Sequence, residues 1–213
     1  MALFQKKPQV SSSAPLYSLG LNKTVLIVGL GNNGKQYDKT RHNVGFACVD
    51  AFVEHQELGP WIQKKVLKCL EASGTIGATR VIVIKPTTFM NHSGEAVAAV
   101  MHFYKIPLEQ VIAVHDELAI PFGQIRTRVG GSDAGNNGIK SIIQSAGKDF
   151  GRLRVGIHNK HADKADASDF VLAKFSKEEL VEMPILTREV NAILTEYLYS
   201  DGQLPHDTRS FII

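Results

Sequence analysis

The chain has only two cysteines, one tryptophan and 8 prolines in 213 residues, and no apolar run approaches the roughly 20 residues of a membrane-spanning helix. Cys48 and Cys69 stand alone, on a predicted helix and a predicted strand, which excludes a disulfide framework and a cysteine-based zinc site. Both read as small buried hydrophobes of a reducing compartment. The missing apolar run predicts a soluble chain with no membrane partner. Metal-ligand spacing is also absent: His158 and His161 share one loop without supporting ligands, so no metal is expected. A large excess of either charge is missing as well, with 24 Lys and Arg against 21 Asp and Glu for a net charge of +3. Residues 1–23 lack acidic side chains and a sustained apolar core segment, although they carry Lys6, Lys7 and the run Ser11-Ser12-Ser13. They read as a flexible N-terminal tail rather than a secretory signal.

What is present is material for one globular domain, with 44% hydrophobic residues. The domain is placed at 24–200, followed by a C-terminal tail at 201–213. Apolar runs at Val25–Val28, Val81–Ile84 and Val111–Val114 read as buried central strands. Helical patterns at Asn43–Leu58 and Ser93–Tyr104 lie between them. Weaker strands are read at Lys68–Ala72, Gln124–Val129 and Leu153–Ile157, with a helix over Gly138–Ala146 between the last two. The alternation predicts an α/β fold, a three-layer sandwich with a mixed, mostly parallel central sheet. Ser176-Lys177-Glu178-Glu179 is a capping box. Pro184 is expected to end that helix, with a second one starting near it.

The first strand leads into Gly29-Leu30-Gly31-Asn32-Asn33-Gly34, which fits a dinucleotide fingerprint. A polar run, Lys35–Thr40, then replaces the expected helix, and Asp50 falls inside a helical pattern rather than at a strand end. The glycines are therefore read as a tight turn that exposes Asn32. Thr40-Arg41-His42-Asn43-Val44-Gly45 follows and opens the first helix. The second central strand leads to Asn91, and the third ends in His115-Asp116-Glu117. Carboxyl ends of parallel strands share one edge, so Asn32, Asn91 and Asp116 are expected to converge on His42. No nucleophilic Ser or Cys sits in a recognisable elbow. A histidine base oriented by an aspartate, with asparagine amides around it, suits attack by an activated water. Between Arg126 and Arg154 the basic residues Arg126, Arg128, Lys140, Lys148, Arg152 and Arg154 face only Asp133 and Asp149, a bias that fits a phosphate or polyanion.

Gly29–Asn32 with Tyr37 and Thr40–Gly45 resembles the opening motif of bacterial-type peptidyl-tRNA hydrolases. Lys85–Gly94 resembles the second motif of that family, and His115–Leu118 with Pro121–Gly123 the third. The loop Gly130–Gly138 and the strand Arg152–Ile157 are similar to two more, all in the same order. The resemblance implies a single peptidyl-tRNA hydrolase-like domain that cleaves the ester between a peptide and tRNA. It also implies His42 and Asp116 as catalytic base and orienting acid, with Asn32 and Asn91 placing water and substrate. Tyr37, Met90, Asn136 and Asn137 become substrate-binding residues, and Arg128 and Arg154 bind tRNA phosphate. No cofactor is implied, peptidyl-tRNA is the partner, and a cytoplasmic monomer, or an organelle form in a eukaryote, is expected. His158–Ser168 and the segment after it correspond to a mobile lid. Two positions depart from the family pattern: Asn33 stands for a proline and Asn136 for a histidine. An RNA-binding relative with weakened catalysis is the alternative, against which the retention of His42, Asp116, Asn32 and Asn91 argues.

Overall fold

A computed structural model describes residues 23–200, Leu204 and residues 206–211. The tail expected over 1–23 therefore lies, apart from Lys23, outside the described residues. In chain order the elements are β1 (Lys23–Gly29), α1 (Val44–His55), β2 (Ile62–Lys64), β3 (Cys69–Ile76), β4 (Thr79–Pro86), α2 (Ser93–Tyr104) and β5 (Val111–Pro121). Then come β6 (Gln124–Val129), α3 (Asn137–Ala146), β7 (Gly151–His158), α4 (Ala167–Leu172), α5 (Lys177–Tyr199) and β8 (Thr208–Ser210).

The apolar runs read as central strands are central. The sheet order is β2-β3-β4-β1-β5-β7-β6-β8, and β4-β1-β5-β7 is its parallel part. Alternating side chains serve the two faces. Val25 and Ile27 pack with α1 and α5, whereas Leu26 and Val28 pack with α2 and α3. The three-layer α/β architecture follows. The balance of the sheet differs from the expected one, because antiparallel pairings at β2-β3, β3-β4, β7-β6 and β6-β8 outnumber the parallel ones. Parallel neighbours need a long crossover, while β3 and β4 need only Gly77-Ala78, with Gly77 at φ 57°.

Two other expectations are corrected. Helix α5 runs unbroken through Pro184. The proline faces solvent, and a buried stripe from Leu186 through Val190 and Leu194 to Leu198 holds the helix despite the missing N–H. Its start is the capping box of Ser176 and Glu179, as read from the sequence. The C-terminal segment is not wholly a tail, since β8 adds to the edge of β6 with Gln124 opposite Ser210 and Arg126 opposite Thr208. Three polar residues carry no alternation to betray a strand; the open backbone edge of β6 recruits them. Both cysteines are free and buried, and burial pushes their thiol pKa values up, that of Cys69 to about 12.

The start of α1 sits directly on the backbone just after β1 and on that of β5. A Cβ at Gly45 would lie 2.3 Å from the Val114 carbonyl oxygen and 2.5 Å from that of Leu30. Backbone lies on both sides, so no rotamer change can make room. Gly45→Ala is expected to lower stability by about 1–3 kcal/mol, the usual range for overpacking, read as a reduced urea midpoint with an unchanged slope.

Candidate active site

His42 lies in a 3-10 turn, Arg41–Asn43, immediately before α1. Its Nδ1 is 2.8 Å from Asp116 Oδ2. A carboxylate can only accept, so in the neutral imidazole Nδ1 is the protonated nitrogen and Nε2 the one with the lone pair. Asp116 projects from β5 on the α1 side, as Val114 does, and is 3% exposed. A charge buried that deeply needs partners on both oxygens. The second oxygen takes the Asn136 Nδ2 donor at 2.9 Å. Asn136 Oδ1 meanwhile accepts the N–H groups of Gly138 at 3.0 Å and Ile139 at 3.1 Å, capping α3. The helix start thus fixes which way the amide points, and every side-chain bond of Asn136 runs inward.

Asn32 is oriented in the same manner. Its backbone N–H donates to Asn43 Oδ1 at 2.8 Å, and Asn43 Nδ2 returns a bond to the Asn32 carbonyl at 3.0 Å. The Met90 N–H occupies Asn32 Oδ1 at 2.8 Å, which leaves Nδ2 as the end available to a ligand. Asn32, His42, Met90, Asn91, Asp116, Asn136 and Asn137 all line one pocket of about 740 Å³. Asn32, His42, Asn91 and Asp116, expected to converge, do line one pocket, although Asp116 lies within β5, which runs on to Pro121, rather than at a strand end. Tyr37 is not brought into that lining; it sits half-buried in the turn Lys35–Tyr37, where its carbonyl accepts the Thr40 hydroxyl at 2.8 Å.

A second hollow, of about 530 Å³, is lined by Arg126, Arg128, Arg154 and His206 with Thr127, Asp207 and Thr208. Arg154 donates through Nε to Glu117 at 3.3 Å, and Glu117 lines the larger pocket, so the two cavities adjoin. The third arginine of the basic stripe plays another part. Arg152 is 3% exposed and clamps the glycine-rich loop by donating to the Gly131 carbonyl at 2.7 Å and to the Ser132 carbonyl. Burial, reinforced by the nearby charges of Arg128 and Arg154, pushes its pKa down to about 10.

Sequence reasoning placed Arg126 in the basic stripe but missed His206 as a hollow-lining residue, because β8 and its approach decide its position. The segment that the resemblance made a lid contains α4, which supplies Ala167, Ser168, Val171 and Leu172 to the outer wall of the pocket. The inward role of Asn136 had a legible signal, an asparagine preceding a helical pattern at the N-cap position.

A histidine held by a buried aspartate beside a pocket at the edge of an α/β sheet has the parts that a general-base site requires. Known proteins place it more closely. A family model described as peptidyl-tRNA hydrolase matches residues 26–209. A protein of Chlorobium chlorochromatii named peptidyl-tRNA hydrolase is 45% identical over 163 residues, covering 76% of this chain and 85% of that protein. One of Gloeobacter violaceus with the same name is 41% identical over 191 residues, covering 87% and 95%. The crystal structure of peptidyl-tRNA hydrolase from Acinetobacter baumannii superposes with a TM-score of 0.74 at 33% identity, covering 82% of this chain and 88% of that one. The chain belongs to the peptidyl-tRNA hydrolase family.

The two functions of Asn136 can be separated by substitution. Asn136→Ser keeps a capping oxygen but cannot reach Asp116, while Asn136→Ala loses both. Urea denaturation is expected to show the alanine variant about 1 kcal/mol less stable than the serine variant, the usual worth of an N-cap. Equal midpoints would mean that the cap contributes nothing.

Proposed function

We propose that the chain hydrolyses the ester joining a peptide's carboxyl end to the terminal ribose of tRNA, and so recycles tRNA from aborted translation. The observation that carries this reading is the His42–Asp116 pair opening onto a pocket that adjoins an arginine-lined hollow. One cavity suits the ester, the other a phosphate.

In this mechanism His42 Nε2 takes a proton from water as the oxygen attacks the ester carbonyl carbon. Asp116 stabilises the imidazolium that forms. The Asn32 Nδ2 donor and the Asn91 amide stabilise the oxygen on which negative charge develops. Collapse expels the ribose oxygen, which receives the proton from His42, so no covalent enzyme intermediate is needed. Asn137 and Met90 hold the peptide side, and Arg128 and Arg154 hold phosphate. Translation supplies the substrate, so the reaction belongs to the cytoplasm or, in a eukaryote, to the matrix of a translating organelle. A monomeric active unit is part of this reading. Among the described residues no helix is long and apolar enough to cross a membrane.

Incubation with an acetylated aminoacyl-tRNA is expected to release free tRNA. Binding without release would support the RNA-binding alternative instead. His42→Ala should lower turnover by about 10²–10⁴-fold, the usual worth of a general base, with tRNA affinity nearly unchanged. Wild-type activity should fall on acidification, because a protonated Nε2 cannot accept a proton from water. A flat pH profile together with normal turnover of the variant would remove His42 from the mechanism.

Arg128→Ala and Arg154→Ala should weaken tRNA binding and make it less salt-dependent. Each lost phosphate contact reduces the slope of log affinity against log salt by roughly 0.7–0.9. Turnover at saturating substrate should change little. Unaltered slopes in both variants would mark the hollow as ordinary solvated surface.

A further inference from the structure

Arg41 stands next to His42 in the same 3-10 turn, yet its side chain leaves the pocket and is buried. The guanidinium donates through Nη2 to Glu179 Oε2 at 2.7 Å and through Nη1 to the Lys174 carbonyl at 2.9 Å. It also lies over the rings of Phe170, at 4.4 Å, and Phe175, at 5.5 Å. Phe170 belongs to α4, and it is the buried residue of that helix. Six residues are too few to be helical alone, so the position of α4 depends on what Phe170 rests on.

Glu179 gathers both ends of the excursion that carries α4. Asn159, just after β7, donates to Glu179 Oε1 at 2.6 Å, and the Ser176 N–H donates to Oε2 at 2.7 Å. The backbone adds a second set of stitches: Arg41 N–H to the Ala173 carbonyl and Phe175 N–H to the Lys39 carbonyl, each 3.0 Å, with Thr40 bridged to Lys174. The segment from Asn159 to Ser176 is thus an arch whose two feet meet on one ion pair. That pair is buried, with side-chain exposures of 6% and 9%. The span of the arch, through Ala167, Ser168, Val171 and Leu172, is the outer wall of the pocket.

We propose that Arg41 is a positioning residue for the hydrolysis. Its ion pair with Glu179 fixes both feet of the arch and holds α4 as a wall opposite His42. The proposal rests on the hydrolase reading for its kinetic part and on the fold alone for its structural part. Arginine is required because one planar fork bonds a carboxylate and a carbonyl while its face stacks on two rings; lysine supplies the charge without the fork or the face. A loosened arch leaves the His42–Asp116 pair intact and weakens the grip on the ester, so the effect falls on KM more than on kcat.

The test uses the full chain as wild type, Arg41→Lys, Glu179→Gln and the double variant. Amide hydrogen exchange is expected to quicken in residues 159–176 and to remain as in wild type in β1, β4 and β5. Steady-state hydrolysis of an acetylated aminoacyl-tRNA is expected to show KM raised about tenfold in Arg41→Lys, as for one lost charge-assisted hydrogen bond, with kcat within about twofold. The double variant should be no worse than the poorer single one, since both remove the same interaction. Exchange that quickens evenly through the chain, or unchanged exchange in the arch, overturns the proposal, as does a fall in kcat at constant KM. An inactive wild type would instead overturn the hydrolase reading, and the exchange data would still decide whether the pair holds the arch.

Discussion

The Asp116 carboxylate is the point on which the site depends. It is buried at 3% exposure and must be paired on both oxygens, and its partners, His42 and Asn136, come from the starts of two different helices. Satisfying one charge therefore fixes α1 and α3 relative to β5. The close backbone approach at Gly45 makes the first of these contacts reachable, and the N-cap of α3 makes the second directional. An unpaired carboxylate at that depth would cost several kcal/mol, so the geometry of the His42–Asp116 pair is enforced by the folding of the sheet edge.

Charges elsewhere in the molecule are sorted by the same requirement. Arg152 and Arg41 are buried and spend their donors inside the protein, Arg152 on carbonyls of the glycine-rich loop and Arg41 on the Lys174 carbonyl and the carboxylate of Glu179 in α5. One holds the glycine-rich loop before α3, the other the arch that carries α4. Arg126, Arg128 and Arg154 line an open hollow instead. Arginines that look alike in a list of basic residues thus divide into internal fasteners and groups that line an open hollow. Burial alone draws the line.

Much of the fold was legible in the sequence because burial on both faces leaves a continuous apolar run. Val25–Val28, Val81–Ile84 and Val111–Val114 could be little else than central strands, and α2 and β6 fell where periodicity placed them. Pro184 misled because a local rule was set against a long buried stripe, and the stripe prevailed. Strand β8 was invisible because its stability resides in the edge of β6 rather than in its own residues. The preponderance of antiparallel pairs was hidden for a related reason, since hairpins at the sheet margins are short and weakly patterned.

The sequence by itself determined the central strands, the glycine turn after β1 and the identity of the polar groups at the strand ends. These are local matters of hydrophobic period, backbone freedom and side-chain chemistry. Only the tertiary structure decided what each polar group faces. It turned Asn136 inward onto Asp116, left Tyr37 outside the pocket and buried Arg41 under α4. Whether an amide or a guanidinium serves a ligand or the protein depends on which partners satisfy it. Those partners lie up to 138 residues away in the chain, as Glu179 does from Arg41, so no local pattern encodes them.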